Sequence, residues 1–362
     1  MNKVTNSIEP RGANPAVGNL FSGALDIVGD IHGEITALKD LLLHLGYDDY
    51  GAHPRGRRLI FVGDLCDRGP DSPDVIKFVS ALVERDLAQC VLGNHELNLL
   101  CEAHKDGNGW YFDNNHDHID GKFLNSRSLH SDDRKSVRSF LSSLPLALQR
   151  DDLRIVHAAW HQPSIDGIRQ SDVSIVEFYN RHETLTKARA RESGISAKAD
   201  AELSIVASKL KDKSAELALL PNVAALDELT QGGNPIRIVT SGLERVAQKT
   251  FFASGKWRMV DRVAWWNEYT DSIPVIFGHY WRWPTDNARA AHSRGEPDLF
   301  VPAKPNQLLG PKRNTFCVDF AVGARYKERP LENGRQFDCR LAAVRWPERE
   351  LVFDDGERSH LD

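Results

Sequence analysis

The sequence predicts an α/β fold assembled from consecutive strand–turn–helix units, and three observations carry this prediction. Short apolar runs rich in β-branched residues end in glycine-flanked polar clusters at 29–33, 63–70 and 93–96. Each cluster is followed by a segment whose apolar residues recur at helical spacing. A further stretch, 166–231, is rich in alanine, leucine, lysine and glutamate and predicts a helical insertion. Alternating strands and helices of this kind are typical of α/β proteins.

The composition of the 362 residues is that of a soluble globular protein, with 41% hydrophobic residues and a mean hydropathy of −0.43. The formal net charge of −5 does not favour a nucleic-acid-binding protein of the basic-patch type. No apolar run approaches the ~20 residues of a membrane span. Five scattered cysteines without a CxxC pair indicate neither a disulfide framework nor a zinc ribbon. We therefore expect a cytoplasmic protein without membrane or nucleic-acid partners.

The domain organisation follows from changes of composition along the chain. Residues 1–18 are polar, contain Pro10 and Pro15 and lack the apolar core of a secretion signal, so an N-terminal arm is expected over residues 1–22. Residues 23–362 are expected to form the main domain, which the insertion at 166–231 interrupts. Periodicity alone leaves open whether this insertion covers a functional site or packs elsewhere.

The first strand–helix unit places two chemically active side chains in one turn. A buried strand is predicted at 25–28 and ends at Gly29-Asp30-Ile31-His32-Gly33. Asp30 and His32 are two residues apart, so both can leave the strand end on the same side. A carboxylate and an imidazole held there are a natural pair of ligands for a transition metal. A helix is predicted over 34–45, with Gly46 as its C-cap.

The second and third units repeat this arrangement. A strand at 58–62 leads to Asp64, Asp67 and Arg68, and Pro73 opens the helix that follows through residue 83. A strand at 89–92 leads to Asn94 and His95, where another helix begins. In open α/β sheets, ligands bind at the carboxyl ends of the strands. The three polar clusters are therefore expected to lie together.

The remaining strands add two more histidines to this set. A strand predicted at 153–159 carries His157, and a strand predicted at 273–277 is followed by Gly278 and His279. Another strand is predicted at 236–240, and two paired strands are predicted at 315–320 and 340–346. The polar stretch 106–130 is expected to be a solvated loop.

Six side chains at five strand ends could hold metal ions. Two aspartates, three histidines and one asparagine suffice for two ions if one carboxylate bridges the ions. The alternative is that these six side chains are unrelated turn residues. Oxygen and nitrogen ligands without a thiolate favour Mn, Fe or Zn over Ca. Two metals ~3.5–4 Å apart can bind both the nucleophile and the substrate oxygens of a phosphoryl group. These side chains are Asp30, His32, Asp64, Asn94, His157 and His279.

The polar clusters resemble the motifs of the calcineurin-like metallophosphoesterases. The family's GDxHG, GDxxDRG and GNHE motifs are matched at 29–33, 63–69 and 93–96. The similarity is greatest with the phosphoprotein phosphatase branch, which includes the bacterial diadenosine tetraphosphatases. Segments 156–158 and 277–281 resemble its later histidine motifs, and 316–319 and 341–345 resemble its closing strands. The match spans most of the chain outside the arm and the insertion, and it specifies the family far better than the substrate.

The resemblance implies a central β-sandwich flanked by helices, and it implies two divalent transition-metal ions. Mn²⁺ is the first expectation for these ions, and Fe or Zn are the alternatives. The first metal would be held by Asp30, His32 and Asp64. The second would be held by Asp64, Asn94, His157 and His279, so that Asp64 bridges the two.

The resemblance also implies catalytic roles. A water bridging the metals would attack phosphorus in line. His95 would protonate the leaving oxygen and Asp67 would orient it, because a carboxylate partner favours the imidazolium form that an acid needs. Arg68 would clamp the phosphate oxygens with its two-pronged guanidinium, and Asn94 would also contact the substrate.

One position departs from the resembled pattern and leaves the substrate open. Protein phosphatases usually carry a second phosphate-binding arginine two residues after a tryptophan, whereas Trp266-Asn267-Glu268 has a glutamate there. Arg245, Arg258 or Arg262 could substitute. The predicted function is a dimetal phosphoesterase similar to bacterial Ser/Thr phosphoprotein phosphatases, with a phosphorylated protein or nucleotide as its substrate. The alternatives are a dinucleoside tetraphosphatase-like hydrolase and a non-catalytic binding module, against which the complete ligand set argues.

Overall fold

The computed structural model describes residues 16–112, 123, 126–253, 255–293, 295–329 and 337–362. Within them the chain folds as two β-sheets flanked by helices, with a separate two-stranded hairpin. The strands are β1 (Val17–Asn19), β2 (Leu25–Val28), β3 (Arg58–Phe61), β4 (Ala88–Cys90), β5 (Ala147–Arg150), β6 (Leu153–Val156), β7 (Glu244–Ala253), β8 (Lys256–Arg262), β9 (Val275–Phe277), β10 (Thr315–Cys317), β11 (Ala342–Trp346), β12 (Glu350–Phe353) and β13 (Arg358–His360).

The helices lie mainly between the strands and in the insertion. The α-helices are α1 (Ile35–Leu45), α2 (Ser72–Glu84), α3 (Asn94–Leu100), α4 (Gly109–Phe112), α5 (Arg134–Ser142), α6 (Gln162–Arg169), α7 (Ile175–Glu192), α8 (Ile195–Val206), α9 (Pro221–Gly232), α10 (Pro235–Ser241), α11 (Asp286–His292) and α12 (Arg325–Glu328). Short 3₁₀ turns occur at Ser131–Asp133, Lys213–Ala215, Trp265–Glu268 and Val322–Ala324.

The two sheets face each other across an apolar layer. Sheet A has the strand order β1-β5-β6-β9-β10, and sheet B has the order β13-β12-β11-β2-β3-β4. Successive side chains of a strand point to opposite faces of its sheet. In β2, Leu25 and Ile27 join the layer between the sheets, whereas Val28 joins the core beneath the helices. Burial on both faces explains why these strands are rich in apolar residues. The predicted sandwich flanked by helices is confirmed.

The parallel strands carry the polar turns to one edge of the sandwich. β2, β3 and β4 are parallel neighbours in sheet B, and β6, β9 and β10 are parallel neighbours in sheet A. Their carboxyl ends therefore open in a common direction. Local capping fixes the turns that follow: the Asp71 carboxylate accepts from the Asp74 N–H at 3.0 Å, and Gly46 ends α1 with φ of 93°.

The prediction of a strand at 236–240 is wrong, because this segment forms α10. Pro235 stands in the first helical turn and the Asn234 side chain accepts from the Ile236 N–H at 3.1 Å. A capping asparagine followed by proline is a helix start signal, which outweighs the β-branched composition of the segment.

Three further expectations differ from the structure. The strands predicted as a pair at 315–320 and 340–346 lie in different sheets, and an isolated bridge joins Ala321, directly after the first segment, to Arg340. Residues 17–19, assigned to the N-terminal arm, form β1 because they pair with β5, while residues 1–15 lie outside the described part. The loop predicted at 106–130 begins with α4, whose Trp110 is buried, and its residues 113–122, 124 and 125 lie outside the described part.

The insertion is helical and extends further than its composition indicated. Helices α7, α8 and α9 occupy it, and the hairpin β7–β8 packs against α9. A small core of its own joins Ala199 on α8, Ala224 on α9 and Met259 on β8. Among the described residues, no helix combines the length and the apolar character that crossing a membrane requires.

Candidate metal centre

Six predicted side chains meet where the parallel strands of the two sheets end. Asp30 and His32 follow β2, Asp64 follows β3, Asn94 starts α3 after β4, and His157 and His279 follow β6 and β9. Four of the six are buried, while Asn94 and His279 are partly exposed and mark the open side.

Asp64 lies at the centre of the cluster. Its Oδ2 is 3.7 Å from His32 Nε2 and 3.8 Å from His95 Nε2, and its Oδ1 is 3.4 Å from His157 Nε2. The carboxylate thus presents one oxygen to each side, which is the geometry that a bridging ligand needs. His32, Asp64 and His95 can surround one ion, and Asp64, His157 and His279 can surround another.

Asn94 and Asp30 complete the two groups. The Asn94 Oδ1 lies 3.2 Å from His157 Nε2 and 2.9 Å from His279 Nδ1. Asp30 Oδ2 lies 4.0 Å from His32 Nε2, and the backbone N–H of His279 donates to both Asp30 oxygens at 3.2 Å. Asp30 therefore links the turn after β2 in sheet B to the turn after β9 in sheet A.

Backbone carbonyls orient two of the histidines. His32 Nδ1 donates to the Cys66 carbonyl at 2.9 Å, and His157 Nδ1 donates to the Val62 carbonyl at 2.7 Å. Since a carbonyl can only accept, each Nδ1 carries a proton and each Nε2 faces the cluster. Hydrogen bonds of this kind fix the ring orientation of metal-binding histidines.

Glu96 holds the backbone of the turn that carries Asp64. Its fully buried carboxylate accepts from the backbone N–H groups of Asp64, Leu65 and Gly93 at 2.8–3.0 Å. Burial first, and then the charge of Asp64, raises the pKa of Glu96. The sequence analysis assigned Glu96 no role, although its place in the third motif was a usable signal.

Burial and neighbouring charges shift the pKa values of the titratable groups in the cluster. Burial, followed by the charge of Asp319, raises the pKa of Asp30 well above its ordinary value. Burial also acts to raise the pKa of Asp64, but the surrounding histidines, His157 foremost, hold it well below its usual range. Burial, followed by the charges of Arg68 and His95, lowers the pKa of His32, which favours the neutral imidazole that metals bind. The donor set therefore fits divalent cations.

A second chain of hydrogen bonds runs from the cluster to its rim. His95 Nδ1 lies 2.5 Å from Asp67 Oδ2, and the Trp110 indole N–H donates to the other Asp67 oxygen at 2.6 Å. The guanidinium of Arg68 donates to His95 Nε2 at 2.9 Å and to His32 Nε2 at 2.7 Å. Arg68 is partly exposed, so its cationic end reaches the open side of the cluster. Trp110 was not identified from the sequence, because it lies in the stretch expected to be a solvated loop.

Several of these side chains are presented by unusual backbone conformations. His32, Asp64, Asp67, Arg68 and His279 all have φ between 49° and 72°. Non-glycine residues rarely adopt this left-handed region, and where they do they concentrate at functional sites. At Gly278 a Cβ would overlap the Asp30 carboxylate, so this close approach requires glycine.

Asp319 supports the site from the strand end after β10. Its buried carboxylate accepts from the backbone N–H of Trp281 at 3.0 Å and from that of Ala321 at 2.9 Å. It therefore fixes the turn that follows His279. The sequence analysis noted Asp319 as part of a closing strand but gave it no role in the site.

A cavity of about 730 Å³ lies beside the cluster. Tyr280 and Trp281, which directly follow His279, form one wall, and the hairpin β7–β8 of the insertion forms another. Its lining combines aromatic rings with several cationic side chains: Tyr280, Trp281, Trp283, Phe251, Arg237, Arg245, Arg258, Arg262 and Lys256, with Asp227, Glu244 and Asp261 among the acids.

Comparison with known proteins finds similarity over part of the chain. Residues 24–192 match the family model for calcineurin-like phosphoesterases. The asymmetrical bis(5'-nucleosyl)-tetraphosphatase PrpE of Geobacillus thermodenitrificans is 53% identical over 74 residues, 20% of this chain and 30% of that protein. The symmetrical bis(5'-nucleosyl)-tetraphosphatase of Aromatoleum aromaticum is 34% identical over 135 residues, 37% of this chain and 44% of that protein. The chain thus spans less than half of the length of these relatives.

Among solved structures, a cold-active protein-tyrosine phosphatase of a psychrophilic Shewanella species superposes with a TM-score of 0.48 and 15% identity. The superposition covers 96% of this chain and 82% of that one.

Proposed function

We propose, from the premise that the chain belongs to the calcineurin-like phosphoesterase superfamily, that it hydrolyses phosphoester bonds with two divalent metal ions. The observation that carries this proposal is the central position of the buried Asp64 carboxylate, with an oxygen directed at each of two donor groups. The proposed metal ligands are Asp30, His32, Asp64, Asn94, His157 and His279.

The metal ions, when bound, would supply the positive charge that activates water and draws the phosphoryl group into place. Arg68 then binds the phosphoryl oxygens, because its guanidinium can donate two parallel hydrogen bonds and already lies at the open side. Asn94 lies at the same partly exposed edge and is proposed to contact the substrate as well as a metal.

His95 is proposed as the general acid. Asp67 holds Nδ1 at 2.5 Å and is itself fixed by the Trp110 indole, so the ring cannot rotate freely. Nε2 accepts from Arg68 in this structure, and we propose that it takes up a proton and passes it to the leaving oxygen when Arg68 turns to the phosphoryl group. A positioned acid of this kind matters most when the leaving group is a poor one.

The cavity favours a nucleotide as the substrate, which we propose as a dinucleoside polyphosphate. The half-buried Trp283 offers a ring face for a base, and Arg245, Arg258 and Arg262 offer charges for a polyphosphate chain. The two relatives described above are named for this substrate class. The phosphoprotein prediction is retained as the competing hypothesis that the same experiment tests.

Arg262 is proposed as the second phosphate-binding arginine. Its guanidinium carbon lies 5.8 Å from the Tyr280 ring centroid, next to His279. After burial, the charge of Arg262 is the largest cause that lowers the pKa of His279, which supports a position of this cation near the site. Glu268, the residue at the position of the resembled arginine, is exposed and absent from the cavity lining among the described residues.

The test compares metal-reconstituted wild-type protein on diadenosine tetraphosphate, phosphopeptides and nitrophenyl phosphate. The variant Arg262→Ala is expected to lose about 10- to 100-fold in kcat/KM on the dinucleotide, the worth of one hydrogen bond to a charged group. Its activity on nitrophenyl phosphate should fall much less, because Arg68 and the metal ions are proposed to hold the single phosphoryl group of this ester, whereas Arg262 is proposed to contact the further phosphates of a polyphosphate chain. Arg181→Ala, which removes an exposed helix-surface arginine, is the matched control.

Two results would contradict these proposals. Preference for phosphopeptides over the dinucleotide would refute the nucleotide proposal while leaving the phosphoesterase proposal intact. Absence of hydrolysis of every member of the panel by metal-loaded, folded protein would refute the phosphoesterase proposal itself.

A further inference from the structure

A second cluster of metal-binding side chains lies outside the site described above. His292 ends α11, Glu328 ends α12, and Cys339 precedes β11. The three residues are buried, with exposed fractions of 6%, 8% and 0%. None of them belongs to the three motifs or to the two histidine strands, so the dimetal cluster does not explain them.

The donor atoms of this cluster already converge. His292 Nε2 lies 3.6 Å from Glu328 Oε1, and one donor atom from each of the three residues lies within 4.8 Å of the others. Asp338 Oδ2 lies 4.0 Å from His292 Nε2, on the more exposed side. Such separations are close to those between ligands that share one tetrahedral ion, since Zn–N, Zn–O and Zn–S bonds are ~2.0–2.3 Å long.

The backbone holds the carboxylate of the cluster in place. The N–H of Asp338 donates to Glu328 Oε2 at 2.6 Å, and the N–H of Cys339 donates to Oε1 at 3.1 Å. Each bond uses one lone pair and leaves another on the same oxygen. The Lys327 ammonium donates to the His292 carbonyl at 2.9 Å, which ties the ends of α11 and α12 together. The cluster is therefore preorganised by three elements that are distant in sequence.

We propose that His292, Glu328, Asp338 and Cys339 bind one structural Zn²⁺ ion. A thiolate, an imidazole and carboxylates match the mixed donor set that zinc accepts, and the thiolate disfavours Mg, Ca and Mn. Four protein ligands with most of the cluster buried make a closed site, as is usual for structural rather than catalytic zinc.

Binding requires the thiol to lose its proton. Burial, followed by the charge of Glu328, raises the pKa of the Cys339 thiol, so this group is a neutral thiol when no metal is bound. The S–H bond breaks, the Zn–S bond forms and the proton leaves to solvent, so zinc affinity rises with pH. No change of oxidation state is involved.

The zinc ion would stiffen one rim of the cavity. Arg289 and Ala290 of α11 line that cavity, and Cys339 shares a small apolar cluster with Trp281 and Ala324. An ion held by α11, α12 and the chain entering β11 would therefore fix this side of the cavity against the turn that follows His279.

The test uses the full chain and two measurements. Wild-type protein reconstituted with Co²⁺ is expected to show a thiolate-to-cobalt charge-transfer band in the near ultraviolet, which ligands without sulfur cannot produce. Elemental analysis of zinc-loaded protein should give one ion fewer per chain in Cys339→Ala and in His292→Gln than in wild type. Cys101→Ala, which removes a half-buried thiol elsewhere, should change neither measurement.

The outcomes separate the proposal from its alternative, an S–H hydrogen-bonded to Glu328 with no ion. Loss of the band and of one zinc ion in either folded variant supports the site. Wild-type protein that shows no thiolate–cobalt band overturns the proposal, whatever the variants do. Equal zinc contents in wild type and a folded Cys339→Ala variant overturn it as well.

Discussion

The proposed acid role of His95 makes a quantitative prediction for the variant His95→Asn. Asparagine keeps a polar side chain at residue 95, the second residue of α3, but it cannot deliver a proton to a leaving oxygen. The backbone N–H at this position, which donates to Asp64 Oδ1 at 3.0 Å, is kept. The substitution therefore removes the chemistry and leaves the metal ligands in place.

The expected loss follows from what a positioned acid contributes. For substrates with poor leaving groups, kcat should fall by roughly 10²- to 10⁴-fold. This corresponds to about 2.7–5.4 kcal/mol in the activation free energy, at 1.36 kcal/mol for each factor of ten. The short contact of 2.5 Å to Asp67 supports the upper part of this range, because the ring is held in one orientation before the substrate arrives.

The assay measures kcat for a series of aryl and alkyl phosphates with increasing leaving-group pKa. Nitrophenyl phosphate needs little protonation of its leaving oxygen, so the loss should be small there and should grow along the series. Metal content is measured in parallel by elemental analysis and should match that of wild type. The variant His130→Asn, which replaces an exposed histidine far from the cluster in sequence, is the control.

A loss that is equal for good and poor leaving groups would refute the acid role. His95 would then act through Arg68, whose guanidinium donates a hydrogen bond to His95 Nε2 at 2.9 Å, or through Asp64. Loss of metal from the variant would likewise contradict the argument, because it would make His95 a ligand rather than an acid.

Two further predictions concern the metals and the insertion. Asp64→Asn should lose both proposed metal ions, because one central carboxylate serves both donor groups; elemental analysis that still finds two ions would contradict this. The Glu183 carboxylate accepts hydrogen bonds from Arg237 at 2.7 and 2.8 Å and from Asn234 at 2.9 Å. Burial acts to raise the pKa of Glu183, but these hydrogen bonds outweigh it, so the pKa is lowered. A lowered carboxyl pKa stabilises the fold above the ordinary value of 4.5 and loses that contribution as pH falls through the folded value. The free energy of unfolding of Glu183→Gln should therefore be lower than that of wild type by about 1–3 kcal/mol near pH 7, with the difference shrinking below pH 4.5 in denaturant titrations.

Local patterns were sufficient to predict the strand–helix units and the cluster of ligands. Asp30, His32, Asp64 and Asn94 each follow a short apolar strand, and parallel strands bring such turns together whatever the rest of the chain does. The left-handed backbone at His32 and Asp64 was not predicted, although each residue stands next to a glycine that adopts the same region, Gly33 and Gly63.

Interactions between distant segments could not be read in the same way. The side chain of Trp110 contacts Asp67 across more than forty positions, and its surroundings in sequence are those of a loop. The segment 236–240 has strand composition, yet the cap at Asn234 decides its conformation. The hairpin β7–β8 gives no alternating pattern, because its faces are only partly buried against α9.

The insertion leaves and re-enters the sandwich at neighbouring points, which has a consequence for how such proteins diversify. β6 and β9 are parallel partners, with Val156 opposite Phe277, so the chain departs after His157 and returns just before His279 on adjacent strands. The hairpin that lines the cavity lies within this one contiguous excursion. A single recombination event between these points could exchange that wall without displacing any proposed ligand. Grafting the corresponding segment between relatives is accordingly a practical route to enzymes that keep one reaction centre and accept new substrates.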